Sequence, residues 1–567
     1  MDLILFGLAG VLFVFFTITG WELEQAGNIS WTAGRTALIL ILSLALGIVF
    51  GVGMRFLFQL LEKRKEAFKE TTQETTKEEM RSAGKMRPSA VFGISFGSIL
   101  LSRLPVFLAF YPGICAYDVS IQLGQVGSGA YNLHHPLAHT LLLKFAIDFG
   151  NAVFHDPTTG FAWMVFGQIL FLSAAMAFGV TFLYRRGCGK GWLIFLQAFW
   201  MVYPFLAYIN VSVTKDVIFA IFFLLQVIGL LGLAEGKKSY GFDALFIFSC
   251  IFMQFFRNNG TYALLFLDGI LFLCLLFGKK ERKLYGKIFL EGTLGLIGGV
   301  LCLSVLTKVT GAQPGDSREM LSVPIQQMAR CMVYHGGIGE NPADDGTMDE
   351  KDKALINDFL LYESYRKYDE KLADPVKSNT NTYVARYRSK DFIRTYLHLL
   401  KEYPGDMVNA FLALNSGYFY LGDESHGRIY ELRQTQGLSY AHTRWDPIVE
   451  EYGIFRHSMA EGLREKMVSW ADGNGHLRIP VLKWFLAPAI IFWGFLFVLL
   501  DQMRKKKWAG CLPFALVAGY YLTLFLGPAV QLRYLFPLIV AFPFLFCHAF
   551  MTDEGCREES VDRPSAQ

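Results

Sequence analysis

Three polar stretches interrupt a largely apolar chain, and they hold the residue types that acid–base and anion chemistry require. The first runs from Tyr111 to Pro136, YPGICAYDVSIQLGQVGSGAYNLHHP. If the residues after the Tyr111-Pro112-Gly113 turn are helical, Asp118, Gln122 and Gln125 share one face at i, i+4 and i+7. A carboxylate close to amides and to the imidazoles of His134 and His135 is a candidate general base. The second stretch is Asn210-Val211-Ser212-Val213-Thr214-Lys215-Asp216, which sets a cation and an anion at the head of an apolar run. The third feature is a pair, Arg257-Asn258-Asn259-Gly260 and Gln531-Leu532-Arg533-Tyr534. Guanidinium is the side chain best suited to clamp phosphate oxygens with paired donors. Each stretch also has a plainer reading: a capped loop helix with surface histidines, or cations anchored at a lipid interface. Those plainer readings weaken together, because spans carrying these groups could converge on one outward-facing cavity that shares base, cations and amides.

The elements that must position them are membrane helices. Of the 567 residues, 53% are hydrophobic and 18% charged, with a mean hydropathy of +0.34; soluble domains carry about 25% charged residues. Fifty-two Phe and 54 Gly suit lipid-facing, closely packed helices. This composition excludes a soluble enzyme, a disordered tail protein and a secreted disulfide scaffold. The net charge of +4 leaves no nucleic-acid footprint, and the nine cysteines show no metal-ligand spacing. The expected fold class is an all-α polytopic membrane protein.

Apolar runs of roughly 17 to 25 residues can cross a bilayer as helices. They fall at about 3–19, 37–60, 89–110, 161–184, 192–209, 216–234, 242–257, 261–277, 288–307, 481–500, 509–527 and 533–550. Keeping the basic loops cytoplasmic sets an even number of crossings between each consecutive pair. That parity, together with Lys144 and Asp148 one turn apart, lays the apolar segment 137–153 along the outer surface. Twelve spans with both termini inside follow. The expected organisation is an N-terminal helix pair (1–60), a charged cytoplasmic linker (61–88) and a transmembrane core (89–307) whose first outer loop is 111–160. A mainly helical extracytoplasmic domain (308–480), three further spans (481–550) and a cytoplasmic tail (551–567) complete the chain.

At these residues the sequence resembles the GT-C superfamily of multispanning glycosyltransferases. An acidic residue follows the first core span (Asp118), and an apolar juxtamembrane helix opens with His135-Pro136. A second acid sits in a tight outer loop (Asp216), and a large outer domain precedes the last spans. The likeness is greatest to a bacterial branch with a YPG…D…Q…HHP first loop, a KD second loop and an RNNG turn. That branch shares the outer-domain segments Pro324–Arg330 (PIQQMAR) and Ala373–Lys377 (ADPVK). The match covers roughly residues 89–550, with the first two spans as an added pair.

The resemblance implies a GT-C-like core that transfers a sugar from a polyprenyl-phosphate donor to a glycan, lipid or protein acceptor outside the cytoplasm of a bacterial plasma membrane. Membrane lipid is then a partner, and nucleic acid is not. It implies Asp118, Asp216 and His135 as catalytic residues, with Gln122, His134, Lys215, Arg257, Asn258, Arg533 and Tyr534 around the donor. Direct displacement with inversion is the route expected from it. Asp118 lacks the second carboxylate that follows it in many relatives, so a divalent cation is allowed but not required by the sequence.

Other features compete. Asp344, Asp345, Asp349 and Glu350 lack the alternating order of a calcium loop. Tyr362, Tyr365, Tyr368, Tyr383 and Tyr387 suit either sugar stacking or a small domain's core. Asp268 lies mid-span with Arg103 as a candidate partner, which keeps open a proton-coupled transporter or lipid flippase. An envelope receptor that only binds a partner would explain residues 308–480 but not the polar groups at the span mouths.

Overall fold

The computed structural model describes residues 2–82, 86–115, 117–236, 239–278, 281–422, 447–472 and 478–550; side chains at 61–62, 64–82, 117, 447–448 and 471–472 are also left aside. The tail expected at 551–567, the loop lysines Lys237, Lys238 and Lys279, and the stretches 423–446 and 473–477 of the expected outer domain lie outside the described residues.

The chain is an all-α polytopic membrane protein. Among the described residues ten helices are long and apolar enough to cross a bilayer, or eleven if one bent pair is a single span. In chain order the membrane-type helices are α1 (Asp2–Ala26), α2 (Ala33–Ser82) and α3 (Pro88–Ala109), then, after the short α4 (Tyr117–Ser128), α5 (Leu137–Phe149) and α6 (Pro157–Arg185). They continue as the bent pair α7 (Lys190–Val202) and α8 (Pro204–Asn210), α9 (Lys215–Ala234), α10 (Tyr240–Phe256), α11 (Asn258–Phe277) and α12 (Arg282–Thr310). Every run expected to span is mainly helical, though 192–209 and 481–500 are each divided into two helices. Two differ in length: α10 and the helix Pro488–Arg504 have 17 residues each, below the length of the ten. Segment 137–154, expected to lie on the surface, is itself one of the ten by length and composition. Its Lys144 and Asp148 pair with each other at 2.6 Å on an exposed face.

Local chemistry explains the breaks. Asp156 caps α6, accepting from Thr158 N at 3.0 Å and Thr159 N at 3.1 Å, with Pro157 in the first turn. At the α7–α8 junction, bent by 55°, Pro204 has no N–H for the carbonyl of Trp200 four residues earlier. The guanidinium of Arg103 donates to that carbonyl instead. Arg103 is therefore not the partner of Asp268, whose carboxylate accepts from Thr293 Oγ1 at 3.2 Å. In the α1–α2 hairpin, Gly10 and Gly47 let the two backbones touch, since a Cβ at Gly10 would collide with the Gly47 carbonyl.

The expected outer segment is three parts. The first is a compact unit, α13 (Ser322–His335), α14 (Glu350–Phe359), α15 (Asp374–Lys377), α16 (Thr382–Tyr387) and α17 (Ser389–Glu402), around Ile325, Met328, Ile356, Phe359, Tyr365 and Leu399. Tyr365 belongs to this core, whereas Tyr362, Tyr383 and Tyr387 are exposed. Asp344 accepts from the backbone of Gly337 (2.8 Å) and Gly339 (2.9 Å), and Asp349 caps α14, so this acidic loop is committed to turn-making. The second part, α18 (Pro404–Phe419), packs among the spans rather than beside α17 alone. Phe419 stacks on Phe16 of α1 at 4.2 Å, and Trp493 Nε1 donates to the Phe419 carbonyl at 2.8 Å. The third part, α19 (Pro447–Glu451) and α20 (Glu461–Asp472), packs on α3 and α4. The helices α21 (Pro480–Phe485), α22 (Pro488–Arg504), α23 (Trp508–Phe525) and α24 (Leu532–Phe550) end the described chain.

PIQQMAR is a joint. Arg330, wholly buried, bonds Asp406 at 2.9 Å and reaches the α1–α2 connection through the Gly27 carbonyl (3.3 Å) and Asn28 Oδ1 (2.8 Å). Lys371 pairs with Glu24 at 2.8 Å beside it. His335 bridges Asp345 and Asp406, each at 3.0 Å, and stacks on Tyr403. Burial pulls the His335 imidazole down, but hydrogen bonds to the two carboxylates outweigh it and raise it above its ordinary value. A raised folded value gives stability that is full below about pH 6.5 and is lost as pH rises through it. The melting temperature of purified protein should therefore fall from pH 6 to pH 8, and His335→Gln should flatten that dependence; an unchanged slope in the variant would clear His335 of the effect.

Candidate functional site

The site begins with a pin between two loops. Gly113 adopts φ +148 after the cis Tyr111–Pro112 bond, where a Cβ would strike Val165 and the Val211 carbonyl. That close approach lets β1 (Ile114–Cys115) pair in parallel with β2 (Ser212–Val213). Gln168 of α6 secures β2 by donating to the carbonyls of Asn210 (2.8 Å) and Ser212 (2.7 Å). Asp118, four residues past Ile114, and Lys215, three past Ser212, are thereby brought side by side.

Lys215 Nζ lies 2.6 Å from Asp118 Oδ2 and 3.4 Å from His135 Nδ1. Arg533, in the first turn of α24, reaches the same Asp118 oxygen at 3.1 Å and lies 3.5 Å from Asp216 Oδ2. Asp216, wholly buried in the first turn of α9, pairs with Arg257 between α10 and α11 and accepts from Thr214 Oγ1 at 2.9 Å. Arg257 lies over the ring of Tyr534, 4.8 Å from its centroid, and 5.7 Å from that of Tyr520. Asp118, Lys215, Asp216, Arg257, Arg533 and Tyr534 thus form one network drawn from four separate connections.

Other expected residues stand apart from it. Gln122 does not orient Asp118: its Nε2 donates to Thr140 Oγ1 at 3.0 Å, and its Oε1 faces His139 Nδ1 at 2.9 Å. His135 faces Lys215, with His134 edge-on to it at 4.6 Å. Both histidines follow a strap in which Leu133 N donates to the Gln313 carbonyl at 2.9 Å, tying the loop to the end of α12. Asn258 is exposed at the start of α11, while its neighbour Asn259 bonds Thr523 at 2.8 Å. The outer unit reaches the site too, for Ala373 N donates to the Pro528 carbonyl at 2.8 Å just ahead of α24. Sequence reasoning missed His139, Tyr520 and Gln168. His139 recurs four residues after His135, a signal hidden by reading 137–153 only for its apolar character.

Three cations against two carboxylates leave one net positive charge. Burial alone would raise the Asp118 carboxyl, but Arg533 and Lys215 outweigh it and hold it well below the usual carboxylate range. Burial pushes the His135 imidazole down to about 4, so it is neutral at physiological pH. The Nε–H of Arg533 and the Nε2 of His135 are buried without a hydrogen-bond partner. Such a site suits an anion. It does not suit a metal ion: both carboxylates are engaged by cations, and the described residues contain no group of three or more His, Cys, Asp or Glu placed to hold one.

A family model described as a family of unknown function (DUF6020) matches residues 127–563, more than half of the chain. The chain belongs to this family. Its matched span includes His134, His135, Lys215, Asp216, Arg257 and Arg533, whereas Asp118 and Gln122 precede it. No curated protein and no solved structure matches the chain.

The network predicts unequal roles for its carboxylates. Asp216→Asn leaves Arg257 buried without its counter-charge and should cost about 3–5 kcal/mol of stability. Asp118→Asn, at a more open position, should cost clearly less. Thermal unfolding of both variants in detergent checks this, and equal losses would mean that the buried pair is not what holds the arginines.

Proposed function

We propose that the chain is an integral-membrane glycosyltransferase that moves a sugar from a polyprenyl-phosphate donor to an extracytoplasmic acceptor in envelope glycan or glycoconjugate synthesis. The observation that carries this reading is the network of Asp118, Lys215, Asp216, Arg257 and Arg533, with its one net positive charge and spare donors. A sugar phosphodiester brings one negative charge and would neutralise it. Lys215, Arg257 and Arg533 then stabilise the charge that grows on the departing phosphate, and Asp118 and Asp216 keep those cations in place. Because both carboxylates are engaged by cations, neither suits the nucleophile of a retaining route, which favours direct displacement with inversion. The resemblance to GT-C enzymes supports the same reading.

In this reading twelve helices cross a bacterial plasma membrane, and α5 lies along its outer surface with Lys144 and Asp148 in water. Cysteines placed at these two positions should react with an impermeant maleimide added to intact cells, and one at the exposed Lys506 should not. Labelling at 506 but not at 144 or 148 would overturn this topology.

A transporter or flippase remains the second reading, favoured by one observation: Asp268 sits buried within α11 with Thr293 as its hydrogen-bond partner. Purified protein in liposomes with a panel of radiolabelled polyprenyl-phosphate sugars separates the two. Wild type should release sugar to an envelope acceptor regardless of ionophore, and Asp118→Asn should lose at least about 10²-fold in turnover as Lys215 and Arg533 lose their shared anchor. Release that collapses with the proton gradient would instead mark transport.

A further inference from the structure

The outer site holds two imidazoles whose far nitrogens have no protein partner, and their near nitrogens fix opposite tautomers. His139, in the first turn of α5, is wholly buried. Its Nδ1 lies 2.9 Å from Gln122 Oε1, while the Nε2 of that amide donates to Thr140 Oγ1. An amide oxygen only accepts, so His139 carries its proton on Nδ1. Its Nε2 is then a bare lone pair, buried and unpartnered. His135 is the reverse: its Nδ1 faces the Lys215 ammonium at 3.4 Å, and an ammonium only donates. Its proton therefore sits on Nε2, likewise buried and unpartnered. The charges acting on His139 are those of the site: Lys215 and Asp216 from α9, Asp118 from α4 and His135 ahead of α5.

We propose that His139 Nε2, rather than Asp118, takes the proton of the acceptor hydroxyl, and that His135 Nε2–H donates a hydrogen bond to the departing phosphate. This rests on the glycosyltransferase reading above. Asp118 is poorly placed for the task, because one of its oxygens already holds two cations. In the step, the acceptor oxygen bonds to the anomeric carbon and its proton passes to His139. The bond from that carbon to the phosphate oxygen breaks, and its electron pair leaves with the phosphate. Charge stays level throughout. The site at +1 and a monoanionic donor sum to zero; afterwards an imidazolium, the same site and a phosphate dianion again sum to zero. Gln122 keeps its bond to Nδ1–H in both states, so the ring need not turn.

His139→Asn tests this without removing the structural contact, since the Asn side-chain nitrogen stands where Nδ1 does and can still donate to Gln122. In full-length protein in liposomes, turnover should fall by about 10²–10⁴-fold. Binding of undecaprenyl phosphate, the probe, should remain within about twofold. Burial, helped by Lys215, holds the His139 imidazole down at about 3. The wild-type rate should therefore fall only at strongly acid pH as the base is protonated, and the residual rate of His139→Asn should lack that limb. Gln122→Glu, which sets a carboxylate against Nδ1–H, should move the limb to higher pH. His135→Asn should keep the limb and weaken phosphate binding instead. If wild type transfers sugar and His139→Asn matches it, the proposal is overturned while the glycosyltransferase reading stands. An intact acidic limb with weakened phosphate binding in His139→Asn would mean that Nε2 carries the proton, and would also overturn it. If wild type transfers nothing from any donor, the underlying reading fails, and the proposal fails with it.

Discussion

Asp216 is a carboxylate with no access to water, and it sits between two guanidinium groups, one from the middle of the sequence and one from its last described helix. A buried carboxylate in this position is tolerable only when both its charge and its lone pairs are met. Thr214, Arg257 and Arg533 meet them, and in doing so they fix the outer ends of α9, α10, α11 and α24 relative to one another. The parallel pin between β1 and β2 then sets Asp118 beside this group, and the strap at Gln313 sets His135. The bundle below is largely apolar packing, with buried polar contacts such as Ser249 to Gln226 and Arg103 to the Trp200 carbonyl. The ionic group at its mouth adds a directional constraint on four of its helices.

Much of this was legible in the residues. Charged side chains at the mouths of apolar runs are costly without purpose, so Asp118, Lys215, Asp216, Arg257 and Arg533 stood out as types, and the parity of basic loops put them on one side. Hydropathy also located the long apolar helices, though not α18, which packs among them from within the stretch read as an outer domain. What it did not locate depends on pairings across long separations. Nothing local says that Gln122 faces His139 rather than Asp118, or that Arg103 serves the carbonyl freed by Pro204 rather than Asp268. PIQQMAR was visible as a motif, but its use is structural: Gln326 donates to the Asp369 carbonyl, Gln327 to that of Met407, and Arg330 holds the first hairpin.

The outer unit is more closely joined to the spans than its polar composition suggests. Arg330 grips the α1–α2 connection, Ala373 bonds the loop before α24, and α18 runs between α1 and α22. The helix α19 packs on α4 and α20 on α3, with Tyr452 donating to the Leu123 carbonyl. The N-terminal hairpin, absent from the motif likeness, is therefore part of the frame that holds the unit over the site.

Arg533 lies in the last helix described, yet it supplies a charge to both carboxylates. During synthesis the earlier spans enter the bilayer first. Asp118 is then paired with Lys215 alone, and Asp216 with Arg257 alone, until some three hundred further residues have been made. Those two pairs balance in charge, but the Asp118 and Asp216 oxygens that Arg533 meets stay without it through most of the chain's insertion. The final helix therefore acts as a keystone, and its arrival is the moment at which a collection of spans becomes a single closed assembly.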